Sequence, residues 1–441
     1  MPMTGLEVVP GSQEAPDLYV KSGTTSDHPV GSIPVLYISY DGLLEPLGES
    51  QVVAYLERLA KRGRRMMLLS FEKPNDAADR SRFSAMQERL SVSGIEWKPL
   101  RYHKRPSLFA TAYDVARGVT VAFNLVRRGQ VRLIHARGYV ASLIALAMRR
   151  LCGVKFLFDM RGFWADEKVD GGHWAQGSLL YRVTKFCERS FFESADGIVS
   201  LTEAGVESFE SLGYNLQQGV PVVVIPTCTD LARFHPGSKD PELVSRLGLQ
   251  GRVVIGCTGT VSNWYLRQSM LDCLASLAQK DDRLRFLMVT REDHRMLLAD
   301  AERAGLAQER LVLTQVPYAM MPHYVRLIDV GLFFIKPCFA KKGSSATKLG
   351  EFLATGVPVV INDGVGDSGL IVKRHGVGVV LPGVEPADFV AAGEGIKWML
   401  DDPDIARRCR ETAERYFDLE AGVRRYDDIY TRLAGLALGT P

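Results

Sequence analysis

The chain has 441 residues, of which 46% are apolar and 24% are charged, an ordinary balance for a soluble globular protein of two or three domains. No apolar run reaches the roughly 18 residues that a membrane-spanning helix needs, which argues against an integral membrane protein. The net charge is only +3, and the basic residues are not interleaved with aromatic ones in a stripe, which argues against nucleic-acid binding.

Residues 1–32 are rich in Gly, Pro, Ser, Thr and acids, and they lack the basic head and apolar run of a secretory signal. We predict a mostly disordered tail here. The seven cysteines are scattered along the chain and form no C-x-x-C pair. This pattern is typical of reduced cysteines in a cytoplasmic protein that holds no structural zinc.

The positive charge is concentrated in the first half of the chain. Residues 31–215 carry 26 Lys and Arg against 20 Asp and Glu, with basic clusters at 61–65 and 101–105. A solvated rim explains this most simply, and attraction to an anionic lipid surface or to a phosphorylated partner is the alternative. The localisation that follows is cytoplasmic, with peripheral contact at the inner face of a membrane as an option.

Short β-branched runs alternate with helical patterns along nearly the whole chain, as expected for β-α units that build a parallel sheet. In the segment 49–63, for example, Val52, Leu56 and Leu59 fall on one face of a helix. The strands predicted for the first half are 34–40, 64–71, 131–137, 154–160, 196–201 and 222–226.

The same rhythm restarts after a stretch at 226–238 that is marked by Pro, Gly and Ser. We predict an α/β fold with two doubly wound Rossmann-like domains that face each other across a cleft, where ligands bind at the carboxyl ends of the strands. The strands predicted for the second half are 252–259, 284–290, 310–316, 330–336, 357–362 and 377–381. The predicted domains are 33–228 and 229–402, followed by C-terminal helices at 403–441 that pack back on the first domain.

The stretch at 341–367, KKGSSATKLGEFLATGVPVVINDGVGD, is the most informative part of the sequence. A helix is expected to begin after Ser344 or Ser345, either of which suits the N-cap position. Lys348 and Glu351 share a face near its start, where free N–H groups favour an anion such as a diphosphate and a carboxylate can bind vicinal hydroxyls. An i,i+3 ion pair is the structural alternative, and these residues alone leave both open.

In the first half, Gly42 and Gly48 flank a helix expected to begin near Glu49. Such a turn offers backbone N–H groups toward the cleft for a phosphate or an acceptor. An ordinary strand-to-helix turn is the alternative.

Polar residues end two further strands of this half, at His135 and Asp159. Asp159 is expected either to accept a hydrogen bond from a substrate hydroxyl or to pair with Arg161, and His135 is either catalytic or a satisfied core residue. Arg161 and Trp164 stand in the loop after Asp159, where polar and aromatic residues suit ligand binding better than packing.

Six segments resemble the family-four glycosyltransferases, which adopt the GT-B fold. The segments occur in the family's order and together span about residues 34–435, so their joint order is specific although each motif alone is modest. They are SYDGLLEPLGESQVVAYLERLAKRG, FDMRGFWADE, GCTGTVSNWYL, TKLGEFLATGVPVV, INDGVGD and YFDLEAGVRRYDDIY.

The resemblance implies a retaining, metal-independent hexosyltransferase that takes a UDP- or GDP-linked sugar and needs no other cofactor. The donor would bind the second domain, and a glycan or lipid-linked acceptor the first, in envelope or exopolysaccharide synthesis. The catalytic candidates are Asp159, His135 and Lys348. The donor-binding candidates are Glu351, Ser344, Ser345, Thr347, Gly364, Gly366, Asp367, Gly259 and Thr260. The loop candidates for phosphate or acceptor are Gly42, Gly48, Arg161 and Trp164.

One departure from the family concerns position 343. Many members carry two Glu residues eight apart, and Glu351 matches the second, but Gly343 stands where the first would be. The residue that recognises the sugar is therefore left unassigned. A nucleotide-sugar epimerase on the same fold, or a non-catalytic sugar-binding protein, is the alternative function.

Overall fold

The computed structural model describes residues 33–105 and 107–435, and the tail predicted at 1–32 lies outside that part of the chain. The described residues form two parallel sheets with helices around them. This confirms the predicted fold class of two Rossmann-like units followed by C-terminal helices.

The first sheet has seven strands in the order β3-β2-β1-β4-β5-β6-β7. Its strands are β1 (Val35–Ser39), β2 (Met66–Glu72), β3 (Glu96–Arg101), β4 (Leu133–Arg137), β5 (Lys155–Asp159), β6 (Gly197–Ser200) and β7 (Val222–Val224). The second sheet has six strands in the corresponding order β10-β9-β8-β11-β12-β13. Its strands are β8 (Val253–Thr258), β9 (Leu284–Val289), β10 (Leu311–Thr314), β11 (Val330–Phe333), β12 (Val359–Asn362) and β13 (Gly378–Leu381).

The helices connect the strands and cover both faces of each sheet. Those of the first half are α1 (Pro46–Gly48), α2 (Ala54–Lys61), α3 (Pro74–Ala78), α4 (Arg80–Val92), α5 (Ser107–Arg127), α6 (Gly138–Cys152), α7 (Trp164–Asp170), α8 (Leu179–Ser194) and α9 (Glu203–Ser211), with a π-helical turn at Glu49–Val53. Those of the second half are α10 (Pro241–Arg246), α11 (Arg267–Ala278), α12 (His294–Arg303), α13 (Met321–Val325), α14 (Thr347–Ala354), α15 (Ser368–His375), α16 (Asp388–Asp401), α17 (Ile405–Tyr416) and α18 (Leu419–Leu433). Short 3-10 turns lie at Gln308–Arg310, Tyr318–Met320 and Phe339–Gly343.

Strand β3 is the one strand of the first sheet that the sequence prediction missed. Its residues, EWKPLR, alternate between exposed and partly buried positions and include Pro99. A proline is tolerated because β3 lies at the edge of the sheet, where one side of the strand forms no ladder hydrogen bonds. Charge and proline within the strand hide the apolar signal on which the prediction depends.

The two C-terminal helices lie on different halves of the molecule. Helix α18 packs with α2 on one face of the first sheet, in a core cluster that includes Val423, Ile429 and Tyr430. Helix α17 packs instead on α14, beside the second sheet. The chain crosses between the halves at Thr229 and again at Phe417, where the Thr229 N–H donates to the Phe417 carbonyl at 2.7 Å.

Two glycines allow α14 to lie close to its neighbours. A Cβ on Gly331 of β11 would come within 2.8 Å of the Phe352 ring, and a Cβ on Gly350 would come within 2.6 Å of Thr229 Oγ1. Contacts this short do not occur with a real Cβ, so both positions require glycine unless α14 moves. The helix that carries Lys348 and Glu351 is therefore held firmly between the second sheet and the crossing segments.

Candidate active site

Helix α14 begins at Thr347, and the residue before it, Ala346, provides no side-chain cap. The prediction that Ser344 or Ser345 caps this helix is wrong. The Ser345 hydroxyl instead accepts the Thr227 N–H at 3.3 Å, and the Thr227 hydroxyl donates to the Ser345 carbonyl at 3.0 Å. Ser345 thus ties the loop before α14 to the first half of the chain, and the first N–H groups of α14 have no side-chain partner from these serines.

Lys348 is buried in the first turn of α14. Its Nζ donates to the Thr260 carbonyl at 2.9 Å and lies 3.7 Å from the centre of the Tyr265 ring. Burial alone would lower the pKa of Lys348, but its contacts with Cys257 and Tyr265 outweigh burial and raise that pKa. Lys348 is therefore a buried cation at the start of a helix, a place that favours an anionic ligand.

Glu351 is buried one turn further along α14. The Tyr318 hydroxyl donates to its Oε1 at 3.3 Å, and burial raises the pKa of Glu351 to about 7 in spite of Tyr318, Lys348 and Arg233. Within the described residues no ion pair within 4.0 Å joins Lys348 to Glu351. The two residues are therefore not the simple i,i+3 pair that the sequence left open.

A cavity of about 390 Å³ opens between the two halves of the chain, and neither Lys348 nor Glu351 is among the residues that line it. It is linked to Glu351 by Tyr318, which lines the cavity and hydrogen-bonds to the carboxylate. Its volume lies in the range of small-molecule binding sites. The lining residues are Leu44, Glu49 and Arg82 from the first half, and Arg291, Gln315, Val316, Pro317, Tyr318 and Ala319 from the second.

The sequence prediction missed Tyr318, Arg291, Arg82 and Glu49 as cavity residues. Arg291 and Tyr318 follow β9 and β10 at the carboxyl edge of the second sheet, where ligands of open α/β sheets bind. Their place after predicted strands was a signal that could have found them. Arg82 lies far from any strand end, so no comparable signal marks it.

The loop after β8 supports Lys348. Gly259 has a positive φ of 77°, and Thr260 offers its carbonyl to Lys348. The Thr260 hydroxyl and the Val261 N–H both donate to Glu292, at 2.6 and 2.9 Å. The structure thus brings these two predicted donor residues next to Lys348, with the Thr260 side chain occupied by Glu292.

The loop at Gly364–Asp367 contacts the start of α9 in the first half of the chain. The Asp367 carboxylate accepts the backbone N–H groups of Glu203 and Ala204, at 2.8 and 3.0 Å, and so caps α9 of the first half. Gly366 donates its N–H to the Lys341 carbonyl at 3.0 Å. The Asp367 bonds join the two halves, whereas the Gly366 bond lies within the second half. Contact of these residues with the donor sugar stays a prediction.

The loop at Gly42 and Gly48 packs closely against Glu72. The Leu43 N–H donates to the Glu72 carboxylate at 3.1 Å, and a Cβ on Gly42 would come within 2.9 Å of Glu72. A Cβ on Gly48 would strike the backbone of Leu43. A buried internal carboxylate therefore takes up one N–H group of this turn, and the two glycines allow close packing. Binding of a phosphate or an acceptor by the turn stays a prediction.

Comparison with known proteins adds the following. Residues 48–228 match the model of the glycosyl transferase 4-like domain. The chain is 28% identical over 283 residues to the lipopolysaccharide core biosynthesis mannosyltransferase LpcC of Rhizobium leguminosarum bv. viciae, a match that covers 59% of this chain and 76% of LpcC. Residues 48–228, less than half of the chain, therefore resemble a glycosyl transferase 4-like domain.

Solved structures agree with this fold. HepE of Anabaena, in complex with UDP and glucose, is 18% identical with a TM-score of 0.67, over 90% of this chain and 99% of HepE. A putative UDP-N-acetylglucosamine 2-epimerase of Listeria monocytogenes is 13% identical with a TM-score of 0.59, over 92% of this chain and 98% of the epimerase. At these identities the likeness shows the fold alone.

Two predicted catalytic residues lie in a buried network. His135 Nδ1 is 2.6 Å from the Tyr430 hydroxyl, and His135 Nε2 is 3.2 Å from Asp159 Oδ2, which also accepts the Tyr426 hydroxyl at 3.2 Å. His135 is 1% exposed and Asp159 is 0% exposed. These contacts fit the structural alternative for both residues, and a catalytic role of either stays a prediction.

Arg161 and Trp164 follow Asp159 in the same loop. Arg161 Nη1 lies 3.6 Å from Asp159 Oδ1, and its side chain is 18% exposed. Trp164 begins α7 and packs against Tyr139 and Trp174, with ring centres 5.7 and 5.4 Å away. Trp164 therefore packs within this loop and Arg161 keeps access to solvent, and contact of either with an acceptor stays a prediction.

The structure shows close packing around Gly343. A Cβ at this position would lie 3.3 Å from the Phe163 ring and 3.4 Å from Gly162 Cα. The loop at 162–163 of the first half fills the space that a longer side chain would enter. A Glu at 343 would have to displace that loop.

Proposed function

We propose that the chain transfers a hexosyl group from a nucleotide-sugar donor to an acceptor hydroxyl, in the synthesis of a bacterial polysaccharide or glycoconjugate. The observation that carries the proposal is the burial of Lys348 and Glu351 at the start of α14, with Tyr318 joining Glu351 to a cavity of about 390 Å³. The names of two similar proteins support it: LpcC is a lipopolysaccharide core mannosyltransferase, and HepE was solved with UDP and glucose. A UDP- or GDP-linked sugar is the donor class that we propose.

The proposed chemistry places the donor diphosphate at the N-terminus of α14 and Lys348. Breaking the bond between sugar and phosphate leaves negative charge on the diphosphate, which fixed N–H groups and a buried ammonium stabilise. Glu351, with Thr347 nearby, would bind ribose hydroxyls, and a hydrogen bond to a charged group contributes about 1.5–3 kcal/mol. We propose further that the reaction retains the anomeric configuration and needs no metal ion.

The test begins with binding and ends with product. The intact chain should be stabilised by UDP or GDP in a thermal-shift assay, and the matching nucleotide sugar should yield free nucleotide and a glycoside when an acceptor is present. Activity that survives EDTA would support metal independence, and the anomeric configuration of the product, read by NMR, tests retention. Loss of activity in EDTA that added Mg²⁺ restores would contradict the metal-independent proposal.

The epimerase alternative keeps one specific observation in its favour, because an epimerase shares the fold over 92% of this chain. An epimerase needs no acceptor. Incubation of the enzyme with a nucleotide sugar alone, followed by chromatography, separates the two functions. Conversion into a second nucleotide sugar, with no glycoside formed on addition of acceptors, would overturn the transferase proposal. A nucleotide sugar left intact under all conditions would point to a binding protein.

We also propose peripheral contact with an anionic membrane at the cytoplasmic face, so that a lipid-linked acceptor can be reached. Among the helices of residues 33–105 and 107–435, none combines the length and apolar character that crossing a bilayer requires. Helices α5 and α8 flank α6 on one side of the first sheet, and both expose large apolar side chains. These are Leu108, Phe109, Tyr113 and Phe123 on α5, and Leu179, Leu180, Val183 and Phe186 on α8.

Basic residues accompany these apolar strips. On α8, Arg182 and Arg189 are exposed and lie beside the apolar strip that Leu179, Val183 and Phe186 form. An apolar strip bordered by arginines is the pattern of a helix that lies in a membrane interface. Flotation with vesicles that contain phosphatidylglycerol should recover the wild-type chain, and Phe186→Ser should reduce recovery, while Leu370→Ser on the second half serves as control. Equal recovery with purely zwitterionic vesicles, or no effect of Phe186→Ser, would contradict this contact.

A further inference from the structure

The carboxyl edge of the first sheet holds two arginines that share a single carboxylate. Arg137 ends β4 and lies directly opposite Asp159 of β5 in the sheet register, and Arg161 follows Asp159 by two residues. Asp159 Oδ2 is taken up by His135 and Tyr426, whereas Asp159 Oδ1 has no hydrogen-bond partner and lies 3.6 Å from Arg161. One negative charge therefore faces two positive ones.

The donors of Arg137 are not fully used either. Its Nε is buried without a hydrogen-bond partner, although Tyr37 hydrogen-bonds to the side chain. Asp41 lies in the same neighbourhood and is exposed, but in the described part of the chain Arg137 forms no ion pair within 4.0 Å. Buried polar groups without partners are uncommon in proteins, and those that exist call for an explanation such as a ligand.

His135 does not add to this charge at neutral pH, because burial lowers its pKa in spite of its contact with Asp159. Apart from the solvent-exposed Asp41, which also lies near Arg137, the cluster of Arg137, Arg161, Asp159 and His135 carries one positive charge in excess. A charge in such a site attracts a counter-ion more strongly than one in water, because the local dielectric constant is low.

The loop that carries Arg161 contacts the loop before α14. Gly162, next to Arg161, lies against Gly343, with the ideal Cβ of Gly162 3.7 Å from the Gly343 carbonyl. Arg161 is partly exposed, and the adjoining strand ends are where ligands of open α/β sheets bind. The arginines belong to the first half of the chain, opposite Lys348 and α14 of the second.

We infer that Arg137 and Arg161 bind a phosphate group carried by the acceptor, so that the acceptor is a phosphorylated sugar or a lipid-linked phosphate. This inference rests on the proposed function and names its acceptor class. Guanidinium groups suit the assignment, because they bind phosphate oxygens through paired N–H groups. The donor diphosphate is the other possible source of phosphate at this place, and the experiment separates the two.

The experiment is calorimetric titration of the full chain at low ionic strength with inorganic phosphate, glucose 6-phosphate and UDP. Arg161→Gln should weaken binding of phosphate and of glucose 6-phosphate by roughly tenfold, since it removes a charged hydrogen-bond donor. UDP binding should stay unchanged. Arg374→Gln, an exposed arginine on α15, should change none of the three affinities.

Asp159→Asn gives a test of opposite sign. It removes the internal carboxylate that competes for both arginines, and it should tighten phosphate binding by roughly fivefold. A merely structural role of Asp159 predicts no such gain. Circular dichroism of each variant verifies that the fold is kept, and Arg161→Lys, which retains the charge, should recover part of the affinity if Arg161→Gln lowers it.

Three results would overturn the inference. The first is an equal loss of UDP and phosphate affinity in Arg161→Gln, which would assign the arginines to the donor. The second is an unchanged phosphate affinity in Arg161→Gln. The third is no gain in phosphate affinity in Asp159→Asn. Failure of the proposed function would give a different result. If the wild-type chain binds phosphate but no nucleoside diphosphate, the proposed donor site at α14 is wrong.

Discussion

Replacing Glu351 by Gln should stabilise the protein while it weakens donor binding. The wild-type carboxyl is 6% exposed, and burial raises its pKa from 4.5 to about 7. Gln keeps the shape and a hydrogen-bonding partner for Tyr318 but never carries the charge. The variant therefore removes the cost of ionising a buried acid and leaves the packing of α14 in place.

The sign of the pH effect follows from proton uptake. Between pH 4.5 and about 7 the folded state holds a proton on Glu351 that the unfolded state has released. The free energy of unfolding therefore falls as pH rises through this window, and it levels off above the folded pKa. Each pKa unit corresponds to about 1.4 kcal/mol, so the full effect above the window is about 3 kcal/mol.

Urea unfolding followed by circular dichroism measures this effect. At about pH 4 the wild type and Glu351→Gln should have nearly the same free energy of unfolding, and at about pH 8.5 the variant should be more stable by up to about 3 kcal/mol. Glu302→Gln, an exposed glutamate on α12, should show no such pH-dependent gain. If the two sheets unfold separately, the transition of the second sheet is the relevant one.

Calorimetry with UDP or GDP supplies the other half of the test. Loss of one charged hydrogen bond predicts an affinity lower by a factor of about ten or more for Glu351→Gln. A variant that is less stable than wild type at high pH would refute the raised pKa. Unchanged nucleotide affinity would remove Glu351 from the ribose role, whatever the stability shows.

The remaining predictions concern neighbouring groups. Lys348→Met should weaken binding of a nucleoside diphosphate by about tenfold or more and leave that of the nucleoside nearly unchanged in calorimetry; an equal loss for both would contradict the phosphate role. Tyr318→Phe removes a hydrogen bond that lowers the pKa of Glu351. The pH dependence of nucleotide binding should therefore move to higher pH. An unchanged pH profile would show that this hydrogen bond does not affect the pKa of Glu351. Tyr426→Phe leaves Asp159 with one hydrogen-bond donor fewer in a buried place, and the free energy of unfolding should fall by about 1–3 kcal/mol; a loss of nucleotide affinity without loss of stability would contradict a structural role for this network.

How far the sequence could predict this molecule depends on which signals are local. Alternating β-branched runs and helical patterns predict nearly every strand and both Rossmann units. They do so because the burial of strands and helix faces produces a regular spacing of apolar residues along the sequence. Strand β3 escapes because an edge position tolerates polar residues and Pro99. The spacing of Lys348 and Glu351 predicts that both lie near the start of one helix, and α14 agrees, since that geometry is fixed within one turn.

Side-chain partners from distant segments could not be predicted in the same way. Ser345 is bonded by Thr227, and Asp367 by the start of α9, so both residues serve contacts between the halves that no local pattern reveals. His135 and Asp159 stand at strand ends, where ligands are expected, yet α18 returns from the end of the chain and covers them with Tyr430 and Tyr426. A strand end is accessible only if nothing later in the chain packs over it.

Gly343 joins these observations to the question of sugar recognition. The space that an acid would need at position 343 is filled by Phe163 and Gly162, which follow Arg161 in the loop after β5. The loss of an acid on the donor side and the presence of arginines on the facing side thus occur at the same contact between the halves. A site that has exchanged a carboxylate for guanidinium groups repels fewer anions, which is the direction expected if the acceptor brings a phosphate close to the donor diphosphate.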